Sequence, residues 1–204
     1  MENLKLAVIY YSSTGTNYQL AQWAEKAGKE AGASEVRLLK FKETAPFEAI
    51  SQNEEWKKHY EATKDVPTVS LNDLEWADAI IFSAPTRYGN LPSQVSSFMD
   101  TTGGLWFNGK LANKVVSAMT SAQNVHGGQE TTLLSLYKSM FNWGAIVATP
   151  SYTDESIFTA GGNPYGVSVT AGKEGLTDKV QAAVKHQVKR TLQISGWVVK
   201  GKSQ

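Results

Sequence analysis

The chain has 204 residues, enough for one well-buried domain and not clearly for two. Its 20 basic and 19 acidic side chains leave a net charge of +1, so no dominant field draws in nucleic acid or an anionic membrane. With no cysteine, disulfides, thiolate metal sites and cysteine nucleophiles are excluded.

The first strand is expected at Lys5–Tyr11, "KLAVIYY". Its apolar run is too short for a secretory signal or a membrane span, so the cytoplasm is the expected compartment, with no membrane and no nucleic acid as partners. A turn of small polar residues follows: Ser12, Ser13, Thr14, Gly15, Thr16 and Asn17. A helix then carries Leu20, Trp23, Ala24, Ala27 and Ala31 on its apolar side. Backbone N–H groups at such a helix start make an anion site, and the hydroxyls and the Asn17 amide can add donors. The turn contains no lysine, so it is not a P-loop, and with Gly15 alone it is not a dinucleotide fingerprint. The plain alternative is an N-capping turn without a ligand.

The second strand is expected at 35–41. Residues 42–70 form a long polar excursion in which "NEEWKKHYEATKD" reads as a short helix. The third strand, 78–84, runs into "PTRYGNLP". There Pro85, Thr86, Arg87, Tyr88, Gly89 and Asn90 can present backbone groups to the edge of a flat heterocycle, or simply lead into a helix. Residues 101–108, "TTGGLWFN", read as a glycine-broken loop whose Trp106 and Phe107 are lids or multimer contacts. The fourth strand, 114–121, ends before Ala122, Gln123, Asn124, Val125, His126 and Gly127, a polar loop that could add a row of amides. His126, His59 and His186 read as solvent-facing, and no His/carboxylate spacing calls for a metal.

The next helix carries a stripe of Leu133, Leu136, Tyr137, Met140 and Phe141. A fifth strand is expected at 145–151, a long loop at 150–175, and a last helix with Val180, Val184, Val188 and Leu192 inward. The basic residues Lys179, Lys185, Lys189 and Arg190 read as a solvated face. Strands alternating with helices predict a parallel α/β sheet covered on both sides, in a single domain spanning 1–204. Ligands of such sheets sit at the carboxyl ends of the strands. A phosphate cradle and two ring clamps at three neighbouring strand ends fit a mononucleotide with a planar head, and FMN is the natural candidate.

"SSTGTN" resembles the phosphate loop of flavodoxins. "PTRYGN", "TTGGLW", "GGQE" and "GGNPYG", in this order, resemble the tryptophan-repressor-binding protein (WrbA) family of NAD(P)H:quinone oxidoreductases. The likeness runs from about Lys5 to Leu192. It implies a flavodoxin-like doubly wound five-stranded parallel sheet of order 2-1-3-4-5, bound FMN, NAD(P)H as electron donor, a quinone as acceptor, and a homotetramer whose subunits help wall the sites. By position it gives the phosphate to Ser12–Asn17, the isoalloxazine to Thr86–Tyr88, and the ring and ribityl chain to Ala122–Gly127. Thr14 then meets the nicotinamide nucleotide, and Trp106 stacks on the electron acceptor. Asn142-Trp143 replaces the family's His-His pair, which makes Asn142 an expected cofactor-binding residue, and Thr14 and Thr16 replace an aromatic and a histidine. The expected chemistry belongs to the flavin, with no catalytic side chain. A flavodoxin-type electron carrier, an azo or flavin reductase, and a regulatory binding protein are the alternatives.

Overall fold

The computed structural model describes residues 3–202. In chain order the elements are β1 (Lys5–Tyr10), α1 (Thr16–Glu30), β2 (Glu35–Lys40), α2 (Phe47–Ser51), α3 (Glu54–Ala62), α4 (Leu71–Trp76), β3 (Ala79–Pro85), α5 (Ser93–Asp100) and α6 (Gly103–Phe107). They continue with β4 (Val115–Ala122), α7 (Gln129–Trp143), β5 (Ile146–Val147), α8 (Glu155–Thr159), β6 (Ser168–Thr170) and α9 (Asp178–Lys202).

The strands form one parallel sheet in the order β2-β1-β3-β4-β5, with β6 also paired to β4. That is the doubly wound, flavodoxin-like order that the resemblance implies. The central strands are buried on both faces, which explains their continuously apolar sequences. Successive side chains of β1 alternate between two cores. Ala7 and Ile9 join Ile80, Phe82 and Val116 beneath Leu133, Leu136, Tyr137 and Met140 of α7. Leu6, Val8 and Tyr10 face the other way, against Leu20, Ala24 and Ala27 of α1 and Val180, Val184, Val188 and Leu192 of α9. At about 25 cal/mol per Å² of apolar surface removed from water, these two layers are the main stabilising term.

Three expectations need correction. The fifth strand is only the pair Ile146–Val147, and the remainder of its place along β4 is taken by β6, which arrives from the long loop after β5. That loop is ordered by two buried side chains. Gln187 of α9 accepts from Val167 N–H (2.8 Å) and donates to Ala118 O (2.8 Å), while the Tyr137 hydroxyl donates to Tyr165 O (2.6 Å). Residues 103–107 are helical rather than a glycine-broken loop. On α7, Phe141 faces solvent and Trp143 takes the inward place, since steps of three and four from Met140 reach 143 and not 141. Among the described residues no helix is long and apolar enough to cross a membrane.

Candidate functional site

Three loops meet at the carboxyl edge of β1, β3 and β4 and enclose a cavity of about 430 Å³, within the roughly 300–1,000 Å³ typical of small-molecule sites.

The floor is the turn after β1. Gly15 sits at φ 99° and starts α1, a backbone state that glycine adopts without strain. The Ser12 hydroxyl accepts from Gly15 N–H (3.0 Å) and closes the turn. No side chain caps α1 and no acidic residue occupies its first turn. The opening N–H groups of a helix have no partner within it, so those of α1 remain for a ligand, with the helix dipole aligned behind them. Ser12, Ser13, Thr14 and Thr16 line the cavity at this end. Thr16 is also tied down, its hydroxyl accepting from Gly172 N–H (3.0 Å) after β6.

Asn17 lines the cavity too, and its amide braces the sheet beneath it. The side chain donates to Ser83 Oγ on β3 (3.2 Å) and accepts from Ser121 Oγ on β4 (2.5 Å), all three residues being buried. Ser121 and Ala171 also border the cavity and were missed from sequence. Ser121 was legible as the last residue of the expected strand. Ala171 was not, because β6 is three residues long.

The second wall is the turn after β3, where Pro85, Thr86, Arg87 and Tyr88 line the cavity. Arg87 N–H donates to Asn90 O (2.8 Å) and Asn90 N–H to Arg87 O (2.9 Å), which folds Tyr88 and Gly89 into a tight reversal at φ 53° and 78°. The Tyr88 ring is fully exposed at the tip. Thr86 organises the turn, its hydroxyl accepting from Gly89 N–H (3.0 Å) and from the Thr132 hydroxyl (2.7 Å). Gly89 and Asn90 therefore shape the wall without lining it.

The third wall is Ala122, Gln123, Asn124 and Gly127. It leans on the second wall through backbone, since a Cβ on Gly128 would lie 2.6 Å from Gly89 Cα. Val125 and His126 sit exposed on the outer side of this loop and do not line the cavity.

Among the lining residues Arg87 alone is charged. Its guanidinium donates to Ser13 Oγ (3.0 Å) and to Thr86 O (3.0 Å), joining the first wall to the second. The tie continues inward. Ser13 Oγ donates to the Tyr11 hydroxyl (3.4 Å), Tyr11 donates to Glu43 (3.1 Å), and Gln94 of α5 donates to Glu43 (2.7 Å). Burial pushes the Tyr11 phenol up to about 12, so it stays protonated and keeps donating.

Two expected residues lie elsewhere in the single chain. Trp106 and Asn142 border a separate, open recess between α6 and α7, where Trp106 Nε1 donates to Asn142 O (2.9 Å). His59 is a correction of another kind. It is half-buried, with its ring 5.5 Å from that of Tyr18, and a Cβ on Gly15 would lie 3.6 Å from its Nδ1. Burial pushes it down to about 4. Among the described residues no cluster of three or more His, Cys, Asp or Glu could hold a metal.

Residues 4–156 match the family described as NADPH-dependent FMN reductase. A protein of Deinococcus radiodurans named NAD(P)H dehydrogenase (quinone) is 57% identical over 94% of this chain and 96% of its own. The chain belongs to the WrbA-type family of FMN-dependent quinone oxidoreductases. A second relative, the NAD(P)H dehydrogenase (quinone) of Aromatoleum aromaticum, is 33% identical over 98% of this chain and 100% of its own. Among solved structures, a WrbA-like flavodoxin from Agrobacterium tumefaciens superposes with a TM-score of 0.62, covering 94% of this chain and 98% of its own at 18% identity. The Megasphaera elsdenii flavodoxin gives 0.58 at 17% identity, over 92% and 98%. At those identities the structures speak for the fold, and the sequence relatives for the family.

The cavity suits the family's cofactor in chemistry as well as in size. A phosphate needs clustered N–H and O–H donors, which the uncapped α1 and its hydroxyls offer, and a flat ring needs facing loop walls, which the Gly89–Gly128 contact holds together.

Proposed function

We propose that the chain transfers two electrons from NAD(P)H to a quinone through bound FMN, in ping-pong order. The single observation that carries this reading is the uncharged cradle at the α1 start, which opens directly between two loop walls. When bound, FMN would supply the two-electron redox chemistry that links donor to acceptor.

The residues do the holding. Ser12, Thr14 and Thr16 donate to the phosphate with the α1 amides, Ser13 ties the turn to Arg87 and Tyr11, and the helix dipole meets the phosphate charge in place of a lysine. Thr86, Arg87 and Tyr88 flank one edge of the ring system, and Ala122–Gly127 the other. No carboxylate or histidine among the described residues of this chain lines the cavity, and with the hydride equivalent supplied by NAD(P)H, the one further proton of the hydroquinone is assigned to water. Donor and acceptor in turn use one open face, which is what ping-pong order requires.

The reading includes a homotetramer in the cytoplasm. Trp106, Phe107 and Phe141 are large exposed aromatics on α6 and α7, and burying them between copies would carry Trp106 to the acceptor site of a neighbouring subunit. The FMN reductase family makes free flavin the second acceptor to assay.

The test is steady-state kinetics on protein as purified, with the released pigment identified. FMN in the supernatant and parallel double-reciprocal lines at several fixed quinone concentrations are expected. Converging lines overturn ping-pong order, and absence of flavin uptake overturns the reading.

A further inference from the structure

A second recess opens beside the phosphate turn and shares Ser12 with the cavity above. Its volume is about 250 Å³, and it lies over the carboxyl ends of β1 and β2 with α3 as its outer wall. No residue of α3 is buried, so the helix is not fixed by a core of its own. Yet Trp56, His59, Tyr60 and Thr63, at spacings of three and four, all line the recess. A helix that turns its aromatic side toward a cavity offers a stacking surface to a planar ring.

The rest of the lining is polar in a particular way. Tyr10 is 2% exposed, and its hydroxyl lies beside Thr63 at the inner end of the recess. Lys40, Lys42 and Lys64 line the recess against one carboxylate, Glu43, which Tyr11 and Gln94 already engage. The Lys40 ammonium donates to Thr63 O (2.5 Å) and Lys64 O (3.3 Å), with Asp65 nearby. Lys42 and Lys64 are exposed and make no salt bridge among the described residues. An aromatic wall with free ammonium groups at its rim recognises a heteroaromatic base that carries phosphate.

The geometry points to this recess as the seat of the adenosine-phosphate half of NADPH, with the purine against Trp56 and Tyr60 and phosphate at Lys42 and Lys64. This deepens the donor reading above and rests on it. The recess is smaller than the roughly 300–1,000 Å³ of sites that hold a whole ligand, which suits one end of a dinucleotide. The shared Ser12 lets the nicotinamide end reach the neighbouring cavity. His59, kept neutral by burial, serves as part of the wall and not as a charge.

The test compares two donors on the FMN-loaded protein: NADPH, and reduced nicotinamide mononucleotide, which lacks the adenosine half. Trp56→Ala and Lys64→Glu are each expected to raise the NADPH KM about tenfold, the scale of one lost base–aromatic stack. Turnover of the shorter donor, the FMN Kd and the melting temperature stay at wild-type values. In the wild type, 2′,5′-ADP competes with NADPH and not with the shorter donor. An unchanged NADPH KM in both variants, or equal losses with both donors, overturns the assignment. So does FAD binding that is tighter than FMN binding and depends on Trp56, because the recess then serves the flavin's own adenylate. If the wild type turns over neither donor, the donor reading itself has failed. Calorimetric binding of 2′,5′-ADP to wild type and variants then decides the recess separately, with loss in both variants expected and no binding to the wild type contradicting it.

Discussion

The turn at Ser12–Asn17 and the corner at Trp106 and Asn142 are held in opposite ways. The turn is fastened to the rest of the fold by buried or half-buried bonds, Asn17 to Ser83 and Ser121 and Thr16 to Gly172, and by an exposed one from Arg87 to Ser13. The corner has one cross-link, from Trp106 Nε1 to Asn142 O, and Trp106 itself is 54% exposed. A site fixed by sheet ends and buried polar braces is complete within one chain. A site made of exposed aromatics on outer helices is completed by whatever covers them. On the proposed function, the phosphate cradle belongs to the single chain, and the Trp106 contribution belongs to the proposed assembly.

The largest effect that separates the two regions is at Asn17. Asn17→Leu leaves the Ser121 hydroxyl without its partner, while Ser83 keeps its bond to the residue-17 carbonyl, and is expected to cost about 2 kcal/mol of stability, at roughly 1–3 kcal/mol per buried unsatisfied group. Urea unfolding checks this; an unchanged midpoint would show that the brace is not structural. Thr14→Ala removes a donor that is exposed at the mouth of the cradle. FMN affinity should fall by about 1–2 kcal/mol, the scale of one hydrogen bond to a charged group, with stability unaltered. Fluorescence titration reads it.

Trp106→Ala is expected to raise the quinone KM about fivefold while the FMN Kd stays put, consistent with roughly 0.5–1.5 kcal/mol for an aromatic contact. Light scattering on the same samples ties this to assembly. If the assembly state matches the wild type and the quinone KM does not move, Trp106 has no acceptor role.

The smallest effect concerns His59. Its folded pKa of about 4 lies below the ordinary 6.5, so between those values the unfolded chain binds a proton that the folded chain does not. Stability is full above pH 6.5 and is lost as the pH falls toward 4. Burial is the larger cause, and the charge of Lys40 acts in the same sense. His59→Gln should flatten that part of the melting-temperature profile, and an identical slope in both proteins would show that His59 is not its source.

The parallel sheet covered on both faces was legible from a local rule, its strand order came from the resemblance, and the proposed cradle was marked by a second local rule. Apolar runs such as Leu6–Tyr10 mark strands buried on both faces, and small polar residues between a strand and a helix mark an anion turn. What escaped was fixed by distant partners. β6 is too short to carry a pattern, and it exists because Gln187, twenty residues away from Val167, and Tyr137 hold its loop against β4. The paired glycines at 103 and 104 masked α6. The aromatic wall of α3 was hidden by its own charges, since "EEWKKHYEATKD" reads as a solvated helix until the fold sets it over the ends of β1 and β2. The Trp106 position was recognised by resemblance, and its distance from the cavity needed the fold.

The comparison of FMN with riboflavin, which lacks the phosphate, tests the cradle most directly. Titrated into the cofactor-free chain, FMN is expected to bind more than about a hundredfold tighter, because several charge-assisted bonds act together. Thr14→Ala narrows that gap. Equal affinity for the two flavins would contradict a cradle at Ser12–Asn17.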